Sequence, residues 1–357
     1  MDLFKELKVV DCSSVLAGPQ VGTFFSELGA HVIKYENAKT NGDVTRTWHT
    51  PLESKEKISS YYASINYKKE VRFVDLSNAK DIALIHAELE TADIVLTNFK
   101  GSDAKKFQLD AEFISKKFPQ IIQGIIRGFE FEKDRVAYDV VLQAETGFMY
   151  MNGSPESAPT KMPVALIDVL AAHQLKEGIL CALINRLKND KGSIVEVSLE
   201  KAALASLANQ ASYFLMTGNI PQRMGSLHPN IAPYGELFQM QDGKWIVLAI
   251  GSDEQFRKLS ASLNIEETSH NILFSSNTAR VKNRIALHEI LQHEFRKTTC
   301  LNFEVKALEN VIPFGQVRNM QEVFERDAAV QNVLEDTIEG NETKRMASVA
   351  FSIRSND

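Results

Sequence analysis

An aspartate stands in the run PVALIDVLAAH, Pro163 to His173, where Leu166, Ile167, Val169 and Leu170 flank it directly. An ionised carboxylate among apolar residues is costly unless something compensates it. Asp168 therefore has two readings. In one it sits near the start of a helix opened by Pro163 and is favoured there by the helix dipole. In the other it is a nucleophile, because a carboxylate is ionised at neutral pH, needs no base to activate it and can form a covalent acyl intermediate. With Pro163 as the first helical residue, Asp168 lies beyond the capping position. Val164, Ala165, Ala171 and Ala172 on the same face would leave room above the carboxylate for a substrate.

The stretch VLAGPQVGTFFSELGAHVIKYE, Val15 to Glu36, suggests a second chemistry. A strand, Gly18 and Gly22 in a turn, an amphipathic helix and a second strand ending in an acid form the layout of a dinucleotide site. The spacing fails. Counting from Gly18, the third and sixth positions are Gln20 and Thr23, with side chains where a pyrophosphate must approach the backbone. This unit is expected to serve another ligand. Elsewhere the histidines include no i,i+4 pair beside a carboxylate, so no metal site is expected. With no GxSxG elbow and no P-loop, hydrolase and kinase readings have no anchor.

These residues need elements to position them. Apolar runs at 8–13, 31–36, 70–76, 93–99 and 121–129 read as strands separated by helix-period segments, which predicts an α/β fold with a mostly parallel sheet covered on both faces. A long helix is predicted from Pro163 to about Asn189, then a strand in GSIVEVSL and one helix from Glu200 to Gly218. YGELFQMQDGKWIVLAIG predicts a hairpin turning at Asp242-Gly243. After VIPFGQV, one short helix and a terminal hairpin in TIEGNETKRMASVAFS are expected. The domains read as a Rossmann-like large domain at 1–200 completed by a C-terminal return at 311–357, a linker helix and loop at 201–224, and a small α+β domain at 225–310.

Composition narrows the partners. The 357 residues carry 44% hydrophobic and 24% charged residues and a net charge of −6, so no basic footprint for nucleic acid exists. Cys12, Cys181 and Cys300 lie too far apart in sequence for a disulfide framework, and a reducing cytoplasm is expected. No segment has the uninterrupted apolar length of a membrane span, and the N-terminus reads as a strand rather than a signal peptide.

In VLAGPQVGTFFSELGAHVIKYE, GDVTRTW (42–48), Asn98-Phe99, YDVVLQAETGFM (138–149), VALIDVLAA, GSIVEVSL and GNIPQRMGSLHPNIAPY (218–234), the chain resembles the family III CoA-transferases, the CaiB/BaiF type that includes formyl-CoA and carnitine CoA-transferases. The resemblance runs from about Leu7 to Val333. It implies a CoA site built by the strand, turn and helix, acyl-CoA and carboxylic acid substrates, no cofactor beyond coenzyme A as substrate, and an interlocked homodimer. It makes Asp168 the nucleophile that forms a mixed anhydride and then an aspartyl-CoA thioester.

The resemblance also places Leu16 where the first loop meets substrate, Trp48 near the acyl site, and Asn98 and Phe99 against the CoA nucleotide. Tyr138 and Asp139 belong to the same substrate region. Lys106 falls where many members have arginine, keeping the charge but not the planar fork. Lys68, Lys69 and Arg72 are further phosphate candidates. Two departures stand out: a charged loop at Glu130 to Arg135, and SLHPNIAPY in place of a glycine-rich mobile loop. Two alternatives share the resemblance. An α-methylacyl-CoA racemase needs a base opposite the aspartate, but its histidine position holds Tyr138, whose ordinary pKa of about 10 suits that task poorly. A non-catalytic CoA-binding homologue is the other.

Overall fold

The computed structural model describes residues 2–132 and 134–354. Its central sheet has six strands, β1 (Lys8–Asp11), β2 (His31–Asn37), β3 (Lys69–Val74), β4 (Ile94–Thr97), β5 (Ile122–Arg127) and β6 (Ser193–Ser198). They are all parallel, in the order β3-β2-β1-β4-β5-β6. That is the doubly wound order, with its reversal point between β1 and β4, where ligands lie beyond the carboxyl ends of the strands.

Successive residues of a strand face opposite sides of a sheet, and here each side meets its own core. Val9, Val32, Ile94 and Leu96 pack with Phe25, Ala171, Leu175 and Ile179. Val10, Ile33 and Val95 pack with Ile85, Leu89, Ile114 and Phe118 on the other side. Burial on both faces explains why these strands read as continuous apolar runs.

The helix carrying Asp168 spans Leu166–Asn189. It buries Ile167, Ala171, Ala172, Leu175 and Ile179 in the first of those cores, so Leu175→Ala would cost about 2–5 kcal/mol. The chain divides into two compact units, one of residues 1–148, 161–219 and 330–357, the other of 149–160 and 220–329. The smaller unit thus takes in residues on either side of 225–310. Its sheet joins β7 (Tyr234–Gln239), β8 (Trp245–Ala249) and β9 (Phe314–Gln316) antiparallel. The predicted hairpin is present, with Gly243 at φ 77° in its turn, and Phe238, Leu248, Leu291, Phe295 and Phe303 fill the core of this unit.

Several expectations need correction. Gly18 and Gly22 lie inside the first helix, α1 (Ala17–Glu27), not in the turn before it. A Cβ at Gly18 would collide with Ser13, and one at Gly22 would come 2.9 Å from the Asp11 carboxylate, so these glycines serve the packing of helix on strand. The long helix starts at Leu166, three residues later than Pro163 suggested, which puts Asp168 in its first turn. The single helix expected at 200–218 is two, Leu199–Ala205 and Ala208–Thr217, broken where Ala208 takes φ 46°. No glycine or proline marks that break. Two short helices, Met320–Phe324 and Asp327–Val330, replace the one expected before the terminal hairpin of β10 (Val333–Ile338) and β11 (Asn341–Met346). No described helix is long and apolar enough to cross a membrane.

Candidate active site

All the site residues expected from sequence belong to the larger unit. Asp168 is 7% exposed. Burial pushes its carboxyl up to about 7, and the negative charge of Asp139 adds to the shift. A carboxyl raised this far exchanges its proton near neutral pH, where an ordinary aspartate is fully ionised.

Asp139 is itself pinned. Its Oδ1 accepts the Ile167 backbone N–H at 2.7 Å and its Oδ2 accepts from the Gln143 side-chain amide at 2.6 Å. The long helix has Ala165 at its N-cap, with no side-chain cap, so Asp139 satisfies from outside one of the donors a helix start leaves open. Gln143 in turn accepts the Met162 N–H at 2.8 Å, fixing the approach to the helix. Tyr138 precedes this acid as N-cap of the helix Asp139–Glu145 and is half exposed.

Sequence reasoning passed over Tyr61. Its ring meets Trp48 edge-on with centroids 4.9 Å apart. Its phenol is pushed up to about 12 by burial and by the charges of Asp168, Asp139 and Asp43. A phenol held neutral in a field of carboxylates is a hydrogen-bond donor toward oxygens that gain negative charge. The available signal was the tyrosine pair in SSYYAS, and only the tertiary placement distinguishes its members. Tyr62 is fully buried and donates to Glu36 at 2.6 Å.

The loop after β1 is held by a buried ionic network. Asp43 accepts from the Val15 N–H, whose residue has φ 72°, from Lys34 Nζ at 3.2 Å, and from Thr45 N and Oγ1. Lys34 also donates to the Ser13 carbonyl at 2.8 Å. Burial works against its charge, yet Asp11, Asp43 and Glu36 hold its pKa above the usual value. Lys69 lies 2.9 Å from Asp11, both side chains fully buried, and desolvation brings the lysine down to about 8. Removing one partner of such a pair costs about 3–5 kcal/mol.

Lys69 is therefore no phosphate ligand, because it supports α1 from beneath through the Pro19 carbonyl and Asn66. Arg72 is engaged by Glu70, Glu88 and Tyr35, whereas the exposed Lys68 ammonium lies 5.3 Å over the Tyr67 ring with no ion-pair partner among the described residues. Lys106 is likewise exposed, at the end of the short helix Gly101–Lys106, with no ion-pair partner among the described residues.

A cleft of about 490 Å³ opens at the β1/β4 reversal point, lined among others by Ser13, Ser14, Asn37, Asp43, Phe99 and Phe107. Asn98 clamps its floor, accepting from Ser14 N at 3.1 Å and donating to Ser14 O at 2.8 Å. Phe99 packs edge-on to Phe107 at 5.2 Å. Leu16 is the N-cap residue of α1. Glu36, the acid that mimicked a ribose ligand, is occupied by Arg46, the Tyr62 hydroxyl and the Asp43 N–H.

In the charged loop, Glu130 accepts from Ser198 at 2.8 Å and Arg135 lies 3.9 Å over the Phe129 ring; Lys133 lies outside the described residues. SLHPNIAPY belongs to the smaller unit, where Arg284 donates to the His228 and Ile231 carbonyls.

A doubly wound sheet with a cleft at its reversal point, which Phe99 lines and Asp168 does not, and a buried carboxyl whose pKa is raised fit an α/β enzyme of acyl chemistry. The sequence matches CoA-transferase family III over residues 4–357. The chain belongs to that family and is a CoA-transferase. It is 32% identical over 325 residues to the succinate–glutarate CoA-transferase of Agrobacterium fabrum, covering 89% of this chain and 80% of that one. It is 30% identical over 331 residues to the human succinyl-CoA:glutarate CoA-transferase, covering 92% and 74%. A solved CaiB/BaiF family protein from Brucella suis superposes with a TM-score of 0.85 at 32% identity, covering 97% of this chain and 92% of that one.

Proposed function

We propose that the enzyme moves coenzyme A between an acyl-CoA and a short dicarboxylic acid through a covalent intermediate on Asp168. The observation that carries this is a carboxylate buried in the first turn of a helix and held near neutrality in its pKa. The Asp168 carboxylate attacks the thioester carbonyl, and the C–S bond breaks to leave CoA thiolate and a mixed anhydride. The thiolate then attacks the aspartyl carbonyl and expels the donor as its carboxylate, giving an aspartyl-CoA thioester. An acceptor carboxylate reverses both steps and frees Asp168. Tyr61 donates to the oxygen that gains charge at each attack, beside the acyl group that Trp48 flanks. Leu16, Tyr138 and Asp139 border the same site, and Asn98, Phe99 and Lys106 serve the nucleotide half.

The dicarboxylate preference rests on the relatives, whose names specify succinate, glutarate, oxalate and mesaconate. The test is a matrix of succinyl-, glutaryl- and acetyl-CoA against these acids and monocarboxylate controls, with products identified by mass spectrometry. No transfer in any combination would refute the proposal. The same assay in deuterated water separates epimerisation from transfer, because only epimerisation incorporates deuterium at the α-carbon.

A homodimer is part of the proposal. The helix Ala208–Thr217 buries no residue in the single chain, and Leu215 and Met216 are 79% and 85% exposed. An apolar helix without a core of its own calls for a covering surface.

A further inference from the structure

The turn between β10 and β11 consists of Glu339 and Gly340, at φ 50° and φ 78°. A two-residue turn with both residues left-handed favours Asn, Asp or Gly at its first position. Glutamate there bears a conformational cost. Its side chain reaches across the larger unit to Arg46, with Oε2 3.1 Å from Nη1 and Oε1 3.0 Å from Nη2. This two-point geometry is the form in which arginine fixes a carboxylate's orientation.

Arg46 is the hub of the GDVTRTW segment. Its Nε donates to Glu36 at 2.6 Å, its Nη2 donates to the Tyr62 hydroxyl at 2.7 Å, and its guanidinium lies 4.2 Å over the Tyr62 ring. Tyr62 follows Tyr61 in the short helix Ser60–Ser64, and Trp48, two residues after Arg46, packs against Tyr61. We infer that Glu339 is a positioning residue: through Arg46, the C-terminal hairpin sets the Trp48–Tyr61 wall of the acyl site. This inference rests on the proposed transferase reading of that site.

The turn preference separates this role from a merely structural one. If Glu339 only closes a hairpin, Glu339→Asn improves the turn and leaves catalysis alone. If it positions the acyl wall, the same variant unfolds at or above the temperature of the parent while its kcat falls about three- to tenfold. The fall in kcat exceeds any rise in KM for the acyl-CoA donor, because Arg46 keeps its bond to Glu36 on the side that lines the cleft. Glu339→Gln, which keeps the reach to Arg46, recovers part of the loss. In an Arg46→Gln background, Glu339→Asn produces no further drop, as expected for two residues acting through one contact. A kcat for Glu339→Asn within twofold of the parent overturns the inference, as does a full additional loss in the Arg46→Gln background. Absence of transfer by the parent enzyme itself would instead refute the functional reading.

Discussion

Asp139 accepts the backbone N–H of Ile167 at 2.7 Å, one residue before Asp168. The same carboxylate thus fixes the start of the helix that carries Asp168 and raises the proton affinity of the acid next in line. A neutral acceptor in its place would hold the same N–H but leave Asp168 more acidic.

A pH profile reads this coupling. Only an ionised carboxylate attacks a thioester, so with Asp168 as the proposed nucleophile kcat/KM for the acyl-CoA should rise with pH through about 7 and then level off, reporting the free enzyme. Asp139→Asn keeps an oxygen for the Ile167 N–H and removes the charge. Its acid limb should move to lower pH by about half a unit or more. A profile unchanged by this substitution would break the proposed link between the two acids.

Stability should run opposite to activity. The folded protein binds the Asp168 proton more tightly than the unfolded chain, whose aspartates titrate near 4. Stability from this group is therefore full below pH 4, declines as pH rises toward 7, and is lower by on the order of 4 kcal/mol above that. Asp168→Asn should raise the melting temperature at pH 8 and change it little at pH 4. A loss of stability at pH 8 would favour the simple helix-dipole role of the residue.

The centre of the sheet was legible because β1, β2, β4 and β5 are buried on both faces and so read as apolar runs, whereas the edge strands β3 and β6 alternate with exposed residues. Asp168 was legible for the related reason that a charge stands out in such a run. What local sequence did not disclose depends on distant partners. Nothing near Lys69 announces that Asp11 neutralises it, and nothing near Asp139 announces that it caps a helix beginning at Leu166. Pro163 misplaced that beginning because a proline suits the residues just before a helix as well as its first turn. Tyr61 became a candidate only once the fold packed Trp48 against its ring and brought it into the field of Asp168.

Lys106 is an exposed cation with no ion-pair partner among the described residues, whereas Lys69 and Arg72 are held by acids. Lys106→Ala should raise KM for acyl-CoA several-fold and leave kcat nearly unchanged, since a contact remote from the thioester supports substrate and transition state alike. An unaltered KM would remove Lys106 from the CoA site.

The apolar helix Ala208–Thr217 should lie in the homodimer interface. Light scattering should give the mass of a dimer, undiminished on dilution. Paired substitutions Leu215→Asp and Met216→Asp should yield aggregated or unfolded protein rather than a folded monomer, because an interlocked dimer has no independent folded half. Recovery of a stable, active monomer from the parent chain would contradict this assembly.

The central claim is the covalent bond to Asp168, and trapping during turnover tests it most directly. The enzyme is mixed with the acyl-CoA that the substrate matrix identifies, quenched with hydroxylamine, digested and analysed by mass spectrometry. The account predicts a hydroxamate on the peptide containing Asp168, formed only with substrate present and absent from Asp168→Asn, which should also show no transfer. Turnover without modification of that peptide, or appreciable transfer by Asp168→Asn in protein shown to be free of deamidation, would contradict it.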